Sequence, residues 1–217
     1  MDALLLGPPG AGKGTQATML AAKLGACHIS TGDILRKAVS SGSGLGLEVK
    51  ALIEGGQLVP DATVDRLVEE RLGQAACAAG AVFDGYPRTV AQAETLEELM
   101  SAWRRPLDAA LLIELSDEAI VRRIGGRRSC SGCGANYQVE ARPPRLEGIC
   151  DRCGGKLTLR ADDREEVVRE RLRVYATQTS PLVAFYSKRG LLRRVDGEKG
   201  IGEVHAGLLR ALGLEEP

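Results

Sequence analysis

A chain of 217 residues suffices for one core carrying a small inserted subdomain and is short for two independent domains. Its 44% hydrophobic content and balanced charge, 29 basic against 29 acidic side chains, exclude a fully disordered chain, and 3% aromatic content leaves few platforms for stacking nucleic-acid bases. The two longest uncharged runs, residues 72–83 and 174–187, fall far short of the roughly 20 apolar residues that cross a bilayer, so neither nucleic acid nor membrane is expected as a partner.

Residues 3–6 are an unbroken apolar run, the pattern of a parallel strand covered on both faces. A Gly-Pro segment follows, too early for residues 1–6 to be a secretory leader, and a helix is predicted over 12–24. Ser30 and Thr31 are cap-type residues before a helix at 34–39, with a break at Gly42-Ser43-Gly44. Val64, Leu67, Val68, Leu72, Ala75 and Ala76 recur at helical spacing. Residues 81–83 form the second predicted strand, ending at Asp84. Thr89 and Gln92 have the form of a capping box opening a helix to about Trp103. A third strand is predicted at 109–115, then a helix capped by Ser116 with Asp117 and Glu118 in its first turn, and a late strand at 191–195. Repeated β-α order predicts an α/β fold, a parallel sheet with helices on both faces. Residues 129–163, with cysteine pairs, Pro143-Pro144 and no helical period, read as an insertion.

Between the first strand and helix stands Gly7-Pro8-Pro9-Gly10-Ala11-Gly12-Lys13-Gly14-Thr15, the context of a P-loop. Glycines let backbone N–H groups converge on phosphate oxygens, and the helix adds its positive end. Lys13 would reach the β and γ phosphates. The generic pattern puts Ser or Thr directly after the lysine; here Gly14 stands there and Thr15 follows. That departure argues against an ordinary GTPase and points to kinases acting on small phosphorylated acceptors.

Cys130 and Cys133, then sixteen residues, then Cys150 and Cys153, have the spacing of a four-thiolate zinc site. Four thiolates leave no open coordination position, so the metal would be structural and would fold a segment too small to bury a core. Gly134 and Gly154 let the chain turn around it. Cys27 and Cys77 lack partners at metal spacing and read as small buried hydrophobes. Metal binding is favoured over a disulfide framework, which suits a cytoplasmic chain.

The residues of the P-loop, Ser30-Thr31-Gly32-Asp33 with Arg36, Gln57-Leu58-Val59, Asp84-Gly85-Tyr86-Pro87-Arg88-Thr89, Gln92, Gly126-Arg127-Arg128, Arg160-Ala161-Asp162-Asp163 and Arg169-Glu170-Arg171 follow one another in a familiar order. In order and spacing the chain resembles adenylate kinases of the long-lid form, over nearly its whole length. The resemblance implies a P-loop nucleoside monophosphate kinase core at 1–29, 60–125 and 164–217, an AMP-binding helical segment at 30–59 and a zinc-binding lid at 126–163. It implies the reaction MgATP + AMP ⇌ 2 ADP, which balances the adenine nucleotide pool and supplies ADP, in a protein that is commonly a monomer. A kinase for another nucleoside monophosphate is the alternative; Thr31 and the long lid favour AMP.

By the same resemblance, ATP would be held by Gly10, Ala11, Gly12, Lys13, Gly14, Thr15, Arg123, Arg127, Asn136 and Tyr137, with Lys199 contacting adenine through its backbone. AMP would be held by Thr31, Arg36, Gln57, Leu58, Val59, Gly85, Tyr86, Pro87, Arg88, Gln92, Arg160 and Arg171, with Thr31 and Gln92 on the base and Arg36 and Arg88 on the phosphate. Lys13, Arg88, Arg123, Arg160 and Arg171 would surround the transferring phosphoryl group, and Asp84 would order the waters of Mg²⁺. Arg122, Arg128, Arg169 and Arg173 read as surface or ion-pair residues. Gly125-Gly126 and the charged stretch after Arg160 are candidate hinges for a closing lid.

Overall fold

A computed structural model describes residues 1–214. Five parallel strands, β1 (Asp2–Leu6), β2 (Cys27–Ser30), β3 (Ala81–Asp84), β4 (Ala109–Glu114) and β8 (Leu192–Asp196), lie in the order β2-β3-β1-β4-β8. Alternation sends successive side chains of β1 to opposite faces. Leu4 and Leu6 join Ile29, Phe83 and Leu112 on one face, and Ala3 and Leu5 join Val82, Leu111 and Ile113 on the other. The first face is covered by α4 (Asp61–Leu72), α5 (Val90–Ala102) and α8 (Pro181–Lys188), the second by α1 (Lys13–Leu24) and α9 (Ile201–Ala211). Helices on both faces bear out the predicted fold class.

Between β2 and α4 the chain makes two helices, α2 (Thr31–Ser41) and α3 (Gly44–Glu54). The sequence reading has no counterpart to α3, because Gly44 and Gly46 look like breakers. Gly46 instead answers a packing need: a Cβ there would lie 2.1 Å from the Ala38 carbonyl oxygen. The reading also lacks β2, and α4 stops at Leu72, leaving residues 75–77 as a short 3₁₀ turn. Among the described residues no helix is long and apolar enough to cross a membrane.

After α6 (Asp117–Gly125), the expected insertion forms a three-stranded antiparallel sheet of β5 (Arg127–Cys130), β6 (Asn136–Gln138) and β7 (Leu157–Thr158), in the order β6-β5-β7. It returns to the core through α7 (Glu165–Val174) and a wide turn at Tyr175–Thr179.

One expectation is corrected. Cys27 and Cys77 are buried, at 7% and 0% exposure, but they are joined to each other in a disulfide, their Cα atoms 4.9 Å apart. The parallel pairing of β2 with β3 brings them together. Cys27 lies opposite Ala81 and its N–H donates to the Gly80 carbonyl at 2.9 Å, so the turn leading into β3 passes beside the start of β2. A sequence separation of 50 conceals that meeting.

Candidate active site

The carboxyl ends of the strands open onto one cleft of 520 Å³. β1 is central, so the loop that follows it sits at the middle of that rim, where α/β sheets bind ligands. Gly7 takes φ 143°, and a Cβ there would lie 2.6 Å from the Ile113 carbonyl oxygen; Gly12 takes φ 88° and caps α1. Both are conformations that favour glycine. Lys13 folds back across the loop, its Nζ donating to the carbonyls of Gly7 (2.6 Å) and Pro8 (2.9 Å). Burial, with Arg88, Arg171 and Arg127 adding to it and Asp84 opposing, lowers its pKa to about 7.

Asp84 ends β3 beside this loop, in register with Leu5 of β1 and Ser30 of β2. Burial pushes its carboxyl up, but the His28 imidazole 3.6 Å away and the charges of Lys13 and Arg88 hold it below the ordinary carboxylate range. It is therefore an anion ready for a cation. A Cβ on Gly14 would approach Asp84 Oδ2 to 3.3 Å, which gives the glycine after Lys13 a local reason: a larger side chain would crowd the carboxylate.

Arginines converge on the cleft from several surrounding elements. From α6, Arg123 donates to the Gly197 carbonyl at 2.7 Å. From β5, Arg127 makes a two-pronged pair with Asp163, its Nε at 2.6 Å from Oδ2. Arg171 of α7 reaches Asp162 Oδ2 at 3.1 Å and Asp163 Oδ1 at 3.2 Å. Arg36 of α2 pairs with Asp33 at 2.6 Å and lies 3.9 Å from Asp162. Arg88 donates to the Gly85 carbonyl at 2.8 Å, and Arg160 to Ser129 Oγ at 2.6 Å and to Asn136. Burial first, then neighbouring cations, brings both Arg88 and Arg160 down to about 10. Ten basic side chains line the cleft against five acidic ones, a surplus of positive charge that polyanions would neutralise.

At one end the cleft is apolar, lined by Leu35, Ile53, Val59 and Val64, with two polar groups among them. Thr31 Oγ1 donates to the Gly85 carbonyl at 2.8 Å, and the buried Gln92 amide is held by the Arg88 N–H and by Asp61. Thr89 caps α5 as expected, accepting from Gln92 N at 3.1 Å. The Gln92 side chain takes other partners in place of the return bond of a capping box. At the other end are Lys199, Gly200 and Ile201, with Gln16 Nε2 donating to the Ile201 carbonyl at 2.9 Å.

Of the nucleotide-site residues expected from the sequence, only Tyr86 lies off this cleft. Its ring is 1% exposed and its hydroxyl donates to Asp65 at 2.7 Å. Gln57 lines the cleft but spends its amide on Glu170 of α7, tying the α2–α3 segment to that helix. Arg169 and Arg173 pair with Glu165 and Glu170, and Arg128 caps carbonyls of Gly125 and Arg127; Arg122, expected at the surface, also lines the cleft. Asp61, His28 and Thr179 were not singled out from sequence. Asp61 after Pro60 looks like an ordinary first-turn acid, and nothing local marks its contact with Gln92.

In the inserted sheet the four cysteine sulfurs lie within 4.8 Å of one another, Cys130–Cys153 at 3.4 Å and Cys133–Cys150 at 3.6 Å. Sulfurs around a tetrahedral zinc at about 2.3 Å would be about 3.8 Å apart, so the donor set fits that ion. Gly132 and Cys133 N–H groups point at Cys130 Sγ at 3.4 and 3.5 Å. Tyr137 Oη accepts from Asp151 N at 2.8 Å, which leaves its hydrogen for Cys150 Sγ at 3.5 Å; that bond brings the Cys150 thiol down to about 6. Tyr137 thus faces the cleft while belonging to the small core around the cysteines.

A family model described as adenylate kinase matches residues 5–191. An adenylate kinase of Clostridium beijerinckii is 50% identical over 213 residues, covering 98% of this chain and 99% of that protein. Those of Syntrophotalea carbinolica and Thermodesulfovibrio yellowstonii are 48% identical over 213 residues and 49% over 204, covering 98% and 94% of this chain and 99% and 95% of their own. With the family model spanning residues 5–191 and relatives near 50% identity aligned over almost their whole length, the chain belongs to the adenylate kinase family.

Proposed function

We propose that this chain catalyses reversible transfer of the terminal phosphoryl group of MgATP to AMP, giving two ADP, with the residues divided as follows. ATP phosphates lie on the loop from Gly10 to Thr15, with Arg123, Arg127 and the Lys199 backbone on the donor side and Asn136 and Tyr137 closing from the lid. The AMP base enters the apolar end against Thr31 and Gln92, beside residues 57–59 and 85–87, and its phosphate meets Arg36 and Arg88. Lys13, Arg160 and Arg171 stand between the two phosphates. An AMP phosphate oxygen bonds to the γ-phosphorus as the bond from that phosphorus to the β–γ bridging oxygen breaks. The acceptor oxygen is already ionised, so no general base is needed and the residues contribute alignment and charge neutralisation. Mg²⁺, when bound with ATP, supplies neutralisation of phosphate charge, and Asp84 and Thr15 are the residues that would hold it.

Residues 30–59 and 126–163 act as the two closing segments of a monomeric cytoplasmic protein, and Cys130, Cys133, Cys150 and Cys153 hold a structural Zn²⁺ that keeps the lid folded. The observation that carries this reading is the cationic cleft itself, lined by ten basic against five acidic side chains and by the apolar Leu35, Ile53, Val59 and Val64. The test is ADP formation from MgATP with AMP, GMP, CMP or UMP as acceptor. AMP should be used at least a hundredfold better in kcat/KM than the others; equal use of another monophosphate would replace the acceptor assignment.

A further inference from the structure

The Gln92 amide is 2% exposed and lines the apolar end of the cleft, yet its two ends are already committed. Its Nε2 donates to Asp61 Oδ1 at 2.8 Å and its Oε1 accepts from the Arg88 backbone N–H at 2.7 Å. The second Asp61 oxygen accepts from Thr89 Oγ1 at 2.8 Å, and that hydroxyl in turn accepts from Gln92 N at 3.1 Å. A carboxylate only accepts and a backbone N–H only donates. Turning the amide over would set an oxygen against the Asp61 carboxylate and an NH₂ against the Arg88 N–H, losing both bonds. What remains for a ligand is one Nε2 hydrogen and one Oε1 lone pair, in a fixed order.

Resting on the assignment of the acceptor base to Gln92, we propose that Asp61 is a specificity-determining positioning residue that fixes the polarity of the Gln92 amide and so selects a 6-aminopurine over a 6-oxopurine monophosphate. Adenine offers an acceptor at N1 beside a donor at N6. Hypoxanthine offers the reverse, a donor at N1 beside an acceptor at O6, in a ring of nearly the same size. The fixed amide matches the first pattern and opposes the second, and a buried polar site left unpaired rejects its ligand strongly. Asp61 itself is not among the residues lining the cleft and acts through Gln92.

The test compares AMP with IMP as acceptors for the full chain and two variants. In the wild type AMP should be strongly preferred. Asp61→Ala should shrink the AMP-to-IMP ratio of kcat/KM at least tenfold, mainly by raising KM for AMP, with KM for MgATP unchanged. Asp61→Asn keeps one acceptor, but its own amide can turn, so its ratio should fall between the two. Were Asp61 only a tie between α4 and α5, both acceptors would suffer equally and the ratio would stand. A wild-type ratio retained in Asp61→Ala, or in Asp61→Asn should the alanine protein not fold, overturns the proposal. A wild type that does not prefer AMP overturns the base assignment beneath it.

Discussion

Lys13 is held against its own loop with a pKa near 7, far below an ordinary lysine, because the cleft strips its water and surrounds it with arginines. Phosphate anions would replace the loop carbonyls as its partners and raise that value. The sign follows directly: between pH 7 and the bound value, Lys13 is mostly neutral in the free protein and charged in the complex, so binding takes up a proton. Below about pH 6 it is charged in both and the uptake vanishes. Calorimetry of ATP binding at pH 8 in buffers of different ionisation enthalpy should report an uptake approaching one proton, lost in Lys13→Met; no buffer dependence at pH 8 would contradict it. Lys13 was legible in the sequence because a P-loop is local, nine consecutive residues whose types the phosphate dictates. Asp61 was not, since its partner lies 31 residues away and only the packing of α4 against α5 joins them.

At the scale of elements, strands that are central and apolar could be read directly, and β2 could not. Its four residues, Cys27 to Ser30, mix polar and apolar types at the sheet edge, and its partner β3 lies fifty residues on. The Cys27–Cys77 bond was hidden for the same reason, whereas the four lid cysteines announced themselves by spacing. The two sets should separate in thermal melting. If the four cysteines hold the proposed metal, Cys130→Ser should lower the melting temperature and leave transfer measurable in the cold, because the inserted sheet buries only a small core of its own. The disulfide closes a loop of fifty residues that contains the whole α2–α3 segment, a constraint worth up to about 4 kcal/mol in the chain-entropy model. A reductant should therefore lower the melting temperature of the wild type and not that of Cys27→Ser. Unchanged melting in Cys130→Ser, or in reduced wild type, would contradict the role given to that set.

For the molecule as a whole, parallel strands aim every functional loop at one rim. The α2–α3 segment and the inserted three-stranded sheet with its flanking loops also line the cleft, contributing Arg36 from the one and Arg127, Arg142 and Arg160 from the other. The fold class, and which residues share the cleft, could be read from the sequence because the P-loop, Asp84 and the Thr31 segment sit at strand ends or helix starts, where local residue types are constrained. The engagement of Gln57 with Glu170 and of Arg127 and Arg171 with Asp162 and Asp163 could not, being set by how distant segments meet. The central claim is that two nucleotides occupy this cleft at once with their phosphates end to end. Calorimetric titration with two adenosines linked by five phosphates tests it most directly: one tightly bound molecule per chain, competing with both ATP and AMP, is expected, and failure to bind, or competition with ATP alone, would contradict it.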